Sequence, residues 1–225
     1  MALSGEKVRP SVSTARGLRT LRISLALACV LFSAPVAANE AAGPSPTELI
    51  EGLLSGRAPV GGPFELTDQT GHRRTDADFR GKLVVLYFGY TSCPDVCPTE
   101  LQSISLALDG LGNAAGAVQP LFITVDPERD TAQLLSQYVP AFDKRFLGLT
   151  GTLPEIDKTA KDFHVYYQKV EGKTKDSYSM DHTAGLYIYD PEGRIRVFAG
   201  NTAPMDSIVH DLKILLGQPV EPPKV

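Results

Sequence analysis

The sequence has no apolar run of the roughly 20 residues that a comfortable membrane span needs, which excludes a multi-spanning membrane protein. It has no excess of positive charge either. Its 22 Lys and Arg stand against 26 Asp and Glu, a formal net charge of −4, so it lacks an electrostatic footprint for nucleic acid. Cysteines number only three and histidines four, and no internal repeat or low-complexity tract is present. What remains is ordinary globular composition: 43% hydrophobic and 21% charged over 225 residues. That argues against a disordered chain and, at about 150 residues per domain, for one domain with appendages.

The charge is unevenly spread. Residues 1–38 hold five basic groups (Lys7, Arg9, Arg16, Arg19, Arg22) and one acid, Glu6, leaving 17 basic and 25 acidic residues beyond them, a net of −8. Such a body could dock on a basic partner surface, although the same balance simply keeps most proteins in solution. Within residues 1–38 the basic stretch ends at Arg22, an apolar run ISLALACVLF follows over residues 23–32, and small residues close at Val36-Ala37-Ala38. This is the form of an export signal cleaved after Ala38. The alternative is an uncleaved anchor, since residues 23–38 are 16 uncharged residues, short for a span. Lipidation at Cys29 would call for Leu three residues earlier, where Ala26 stands. Either way the body is expected in an oxidising, exported compartment, the bacterial periplasm first.

Residues 39–58 read as a linker rich in Ala, Pro, Gly and Ser with a short amphipathic helix over 47–54, residues 59–217 as the folded domain, and residues 218–225 as a Pro-rich tail. In the folded part, Phe64 to Leu66 with the turn formers of 68–71 predict a strand and hairpin turn. Residues 83–88 (LVVLYF) and 121–125 (LFITV) are continuous apolar runs, the mark of strands covered on both faces. Leu101, Ile104, Leu108 and Leu111 recur at helical spacing over 99–111, and Gly112 stops that helix. Asp130 or Thr131 can cap a helix running to Tyr138, and Thr152-Leu153-Pro154-Glu155 has the form of a capping box before a helix over 156–163. A short strand over 165–169 is followed by a hairpin (183–189, turn 190–193, then 194–198). A last helix over 204–216 is stopped by Gly217. Alternating strands and helices call for a largely parallel sheet with helices on both faces. With the late hairpin, the order predicts an α/β, thioredoxin-like fold with an N-terminal hairpin extension and an inserted helix–strand segment.

Once the signal has left with Cys29, only Cys93 and Cys97 remain. A bridge between residues four apart closes too small a loop to constrain much chain entropy, so the pair is chemical rather than structural. It falls between a buried strand and the next helix, where this fold carries redox chemistry. Pro98 suits a first helical position and would put Cys97 at the helix N-terminus, where unpaired N–H groups and the dipole lower a thiol pKa. The Cys-x-x-x-Cys spacing has one more residue of reach than Cys-x-x-Cys and suits a metal as well as a disulfide. Two thiolates are soft donors matched to Cu(I), and an added imidazole lets Cu(II) be held too. Structural zinc would want four protein ligands, for which the chain has few candidates.

Among the histidines, His72 in a polar turn, His164 before a short strand and His210 on the last helix are expected in surface or packing roles. His182, in Ser179-Met180-Asp181-His182-Thr183, stands where a loop is expected to enter the third main strand and face the cysteine turn. Thioredoxins have a cis-proline there, so a ligand in its place favours metal binding over general disulfide exchange. Asp181 can fix the imidazole tautomer or be a solvated acid. Met180 offers a thioether or packs in the core, and Asp95 tunes the cysteines or forms their turn. Asp126, Arg129 and Asp130 follow the second strand, at the edge where α/β sheets place their sites. They read as loop-fixing ion pairs first and docking residues second.

The runs GKLVVLYFGYTSCPDVCPTEL (81–101), LFITVDPERDT (121–131), LGLTGT (147–152) and DHTAGLYIYDPEGRI (181–195) resemble the SCO/SenC copper-delivery family. The resemblance spans residues 60–217, and Cys-Pro-Asp-x-Cys-Pro followed 85 residues later by Asp-His-Thr is its most specific part. It implies a thioredoxin fold that binds one copper, as Cu(I) or Cu(II), through Cys93, Cys97 and His182. It further implies copper delivery to the dinuclear copper site on subunit II of cytochrome c oxidase, or reduction of that site's cysteines. A periplasmic copper chaperone or thioredoxin-like reductant is the expected upstream partner, and a monomer the simplest state. Two departures stand out: many members keep an uncleaved N-terminal helix, and Ser92 stands where members often have His. Beside copper delivery stands a thiol–disulfide oxidoreductase using Cys93 and Cys97, and behind both a non-enzymatic sensor of copper or redox state. Peroxide reduction fits poorly, because the Thr-x-x-Cys pattern with a preceding proline is missing around both cysteines.

Overall fold

The computed structural model describes residues 60–172, 177–200 and 204–220. The export signal over 1–38 with Cys29, the linker over 39–58 and the last residues of the tail lie outside them.

The described chain forms nine strands: β1 (Glu65–Asp68), β2 (Arg73–Thr75), β3 (Leu83–Gly89), β4 (Val118–Thr124), β5 (Leu147–Thr150), β6 (Tyr167–Glu171), β7 (Tyr178–His182), β8 (Gly185–Tyr189) and β9 (Ile195–Gly200). Its α-helices are α1 (Val96–Gly110), α2 (Ala132–Tyr138), α3 (Leu153–Asp162) and α4 (Met205–Leu215). Seven strands make one sheet in the order β2-β1-β5-β4-β3-β8-β9, while β6 and β7 pair only with each other. The alternation of elements predicts a largely parallel sheet, and the structure corrects this. Only β3, β4 and β5 run parallel, while β1–β2, β1–β5, β3–β8 and β8–β9 are antiparallel. Short hairpins make β1–β2 and β8–β9 antiparallel, helical crossovers join β3, β4 and β5 in parallel, and β1–β5 and β3–β8 are antiparallel pairs of strands distant in the chain.

The apolar run of β3 is buried along its whole length, since β4 and β8 flank it and other elements cover it. Phe88 on β3 meets Phe163 and Tyr187 edge-on, with ring centroids 5.3 and 6.0 Å apart. Burying each such ring contributes about 1.5–3 kcal/mol. The N-terminal hairpin β1–β2 joins the sheet through β5, which pairs β1 at Thr67 and Asp68. No strand is expected from the sequence at Leu147–Thr150. It forms because its backbone is bracketed by β4 and β1, partners far away in the chain.

Helix ends follow local chemistry. Thr152 and Glu155 make the reciprocal capping box at the start of α3. Of the two candidate caps for α2, Thr131 is the one used, its hydroxyl accepting from Leu134 N–H at 3.2 Å. Helix α1 begins three residues before the expected Thr99, at Val96, with Asp95 at the cap position and Pro98 third in the helix. Proline is tolerated there because the first four N–H groups of a helix have no intrahelical partner. Leu101, Ile104 and Leu108 are buried as their spacing predicts, and α1 packs against α4. Helix α4 ends where Gly217 takes φ +65° and its N–H reaches the Ile214 carbonyl at 2.9 Å.

Candidate metal centre

The turn between β3 and α1 carries Cys93, Cys97 is the second residue of α1, and the shape of this segment is set from three sides. Gly89 closes β3, and a Cβ there would come within 3.0 Å of the Cys97 sulfur and 2.9 Å of the rings of Tyr87 and Phe122. Only glycine lets the sulfur lie this close to the strand. Two residues before Cys93, Thr91 donates its N–H (2.9 Å) and hydroxyl (2.6 Å) to the carboxylate of Asp130, which also accepts from Thr124 Oγ1 at 2.6 Å. Asp130 is fully buried. Burial raises its pKa while the bonds from Thr124 and Thr91 oppose the rise. It therefore fastens the cysteine turn to the end of β4 and is no helix cap. At the start of α1, the Cys97 N–H donates to Cys93 Sγ at 3.4 Å.

His182 comes to this turn from β7. Its Nε2 lies 3.5 Å from Cys97 Sγ, and its Nδ1 lies 3.0 Å from the Thr183 carbonyl oxygen. A carbonyl can only accept, so the proton sits on Nδ1 and the Nε2 lone pair faces the sulfur. The residue is the last of a strand paired with Tyr167, and not, as expected, part of a loop entering the next main strand. Asp181 is exposed, and the Thr183 carbonyl takes the tautomer-fixing place considered for it. The imidazole packs edge-on against Tyr90 (5.8 Å) and Tyr87 (6.4 Å). Burial lowers its pKa, with the Thr183 carbonyl and Asp181 pulling the other way. The ring is thus kept neutral, as a metal ligand must be.

Cys97 is fully buried and Cys93 half-buried, and both are free thiols. The helix N-terminus predicts a lowered Cys97 pKa, and the structure reverses this. Burial pushes the thiol up to about 12, with Cys93 adding to the rise and the Tyr90 N–H and Tyr87 hydroxyl opposing it. Desolvation of a thiolate at 0% exposure outweighs a partial helix charge. Tyr87, also buried, is driven far up, first by its own burial and then by Cys97 beside it. The Tyr138 hydroxyl is buried without a hydrogen-bond partner among the described residues, and that of Tyr87 has none besides the Cys97 sulfur. Glu100, on the same side of α1 as Cys97, is buried and its pKa raised by that burial.

Of the predicted trio, the structure brings His182 Nε2 to Cys97 Sγ and the Cys97 N–H to Cys93 Sγ. Among the described residues, no group of three or more His, Cys, Asp or Glu side chains stands close enough together to hold a metal ion. The donor set is soft, holds a neutral imidazole, and carries a buried thiol that a cation would relieve of its proton. Those features fit a copper ion. The remaining histidines are elsewhere. His72 bonds Thr70 in the β1–β2 turn, His164 holds φ +55° after α3, and His210 rides on α4. Met180 packs against the core beside the site, Asp95 is exposed, and Asp126 pairs with Arg129. Sequence reasoning missed Tyr87, Tyr90, Tyr138 and the anchoring role of Asp130. A tyrosine inside the otherwise apolar run of β3 is the one local sign.

A thioredoxin-like α/β domain with two free thiols at a helix start and an imidazole 3.5 Å from one of them is a dithiol protein. The chain belongs to the SCO1/SenC family, whose model matches residues 54–217. The protein sco1 of Schizosaccharomyces pombe is 44% identical over 156 residues, 67% of this chain and 59% of that protein. The mitochondrial SCO1 homologue of Homo sapiens is 40% identical over 147 residues, 64% of this chain and 49% of that protein. The chain thus spans between about half and three fifths of these curated relatives. Among solved structures, Arabidopsis thaliana ScoI with copper bound matches with a TM-score of 0.67 at 39% identity, covering 70% of this chain and 98% of that one. Bradyrhizobium japonicum ScoI with copper bound matches with a TM-score of 0.65 at 44% identity, covering 69% and 99%.

Proposed function

We propose that the protein is a copper chaperone that holds one copper ion through Cys93, Cys97 and His182 and delivers it to the dinuclear copper site of cytochrome c oxidase subunit II. The observation that carries this is the 3.5 Å approach of His182 Nε2 to Cys97 Sγ, with the Nδ1 proton tied to Thr183. The relatives solved with copper bound support it. Cys93, half-exposed, is the sulfur an incoming ligand of the partner reaches first, and ligand exchange would begin there. Delivery would take place in the periplasm, with residues 1–38 as export signal or anchor. Relatives are mitochondrial in one branch and include a Bacillus anthracis lipoprotein in another, which suits an exported or membrane-associated protein.

The same cysteines support a second reading, a thiol–disulfide oxidoreductase that reduces the cysteines of the oxidase site. The accessible Cys93 sulfur, facing the Cys97 N–H, would act as nucleophile. One experiment separates the two. The reduced protein and His182→Ala are loaded with copper without oxygen, and copper per chain and thiolate-to-Cu(II) absorption are measured. One copper per chain, lost in the variant, supports delivery. No retained copper, with rapid Cys93–Cys97 disulfide formation, overturns it in favour of the reductase.

A further inference from the structure

The strand that carries His182 belongs to a small sheet of its own, β6–β7, outside the seven-stranded sheet that carries the cysteines. The distance from imidazole to sulfur is therefore set by whatever holds this hairpin down. On β6, Tyr167 bonds Asp157 of α3, and an exposed pair links Lys169 to Glu128 at 2.8 Å. Exposed pairs of that kind contribute little. On β7, Met180 packs against the core, and the contacts of Tyr178 gather at Arg129 and its partner Asp126. Arg129 donates from Nη1 to the Tyr178 carbonyl at 2.9 Å, and its guanidinium carbon lies 3.6 Å from the centroid of the Tyr178 ring. The same guanidinium is ion-paired with Asp126, whose other oxygen accepts from the Tyr178 hydroxyl at 2.9 Å. It also lies 5.8 Å from the centroid of Tyr90, the ring that meets His182 edge-on. Its Nη2 is buried without a hydrogen-bond partner among the described residues, so the fork is held by one carboxylate, one carbonyl and stacking.

We propose that Arg129 is a positioning residue that latches the β6–β7 hairpin onto the loop after β4 and so sets the reach of His182 to the cysteine sulfurs. With the latch made, Tyr178 is fixed at one end of β7 and His182 is delivered at the other. With it broken, the hairpin is held less firmly at Tyr178, and the imidazole at its other end is less closely fixed to the sulfurs. The inference extends the copper reading, and its first test needs no metal.

In the reduced, metal-free protein, Arg129→Gln is expected to speed amide hydrogen exchange over Tyr167–Glu171 and Tyr178–His182 by about tenfold or more, with β3 and β4 unchanged. In the copper-loaded protein the same change is expected to weaken the imidazole nitrogen signature in the Cu(II) EPR spectrum while thiolate absorption stays. Release of copper to a chelator should then rise by about tenfold, within the range for lost outer-sphere partners. Unchanged exchange in the hairpin overturns the latch, and so does an unchanged imidazole nitrogen signature in the copper-loaded variant. If Arg129→Gln does not fold, Arg129→Lys carries the same test, since it keeps the charge near Tyr178 but has no fork. If neither parent nor variant retains copper, the copper reading fails while hydrogen exchange still decides the latch.

Discussion

Raising the pH of the reduced protein from 9 to 12 should cost it stability through one buried thiol. Cys97 is fully buried and its pKa stands at about 12 against an ordinary 9.0. In the unfolded chain the thiol ionises near 9, whereas in the folded protein it keeps its proton until about 12. The folded-state pKa is the raised one, so the contribution is fully present below pH 9 and is lost as pH climbs toward 12. Three pH units at 1.36 kcal/mol each amount to about 4 kcal/mol. Other groups titrate in this range, so the quantity to measure is a difference. Urea unfolding of the reduced, metal-free protein is followed at pH 8, 9, 10 and 11 beside Cys97→Ala, which has no thiol to ionise. By pH 11 the gap in unfolding free energy between the two should have moved against the parent by roughly 2–3 kcal/mol. A gap independent of pH would show that Cys97 ionises freely in the folded state, and the argument that burial overrides the helix N-terminus would be wrong. The same proton has a consequence below pH 9. A metal taken up by Cys97 must displace it, so affinity should rise by about tenfold per pH unit for each such proton released.

Two further changes test the supports of the site, and a third tests the sheet away from it. Asp130→Ala strands the Thr91 N–H and two hydroxyls and should destabilise by about 2–4 kcal/mol in chemical denaturation, with faster alkylation of Cys93 as the turn loosens. Unaltered alkylation would mean that Asp130 serves the fold alone. Gly89→Ala forces a methyl against the Cys97 sulfur and two rings, and a loss of about 1–3 kcal/mol is expected, together with weaker copper retention. At the far edge of the sheet, burial would raise the pKa of Asp68, but hydrogen bonds from Thr70, Arg74 and the His72 and Thr70 N–H groups hold it down to about 2. That contribution, roughly 2 kcal/mol, is present above pH 3.8 and lost as pH falls toward 2. Asp68→Asn should flatten the acid limb of the stability curve, and an unchanged limb would refute this.

What the sequence determined by itself is what depends on neighbours along the chain. The continuous apolar run of β3 specifies a covered strand, Leu101, Ile104 and Leu108 specify one face of α1, and Thr152 with Glu155 specifies the start of α3, because each is written within one or two turns of backbone. The place of the Cys93–Cys97 pair between strand and helix was legible for the same reason. Tertiary structure decided the rest. Leu147–Thr150 is a strand only because β4 and β1 flank it, and β7 exists only against β6, so His182 is carried by a separate hairpin that no local pattern announces. The sign of the Cys97 pKa shift is the sharpest case. The helix start that argues for a lowered value is local and visible in Pro98, while the burial that raises it comes from Gly89, Tyr87 and Phe122 closing over the sulfur. Desolvation is the sum of everything packed around a group, and that sum is fixed only when the chain has folded.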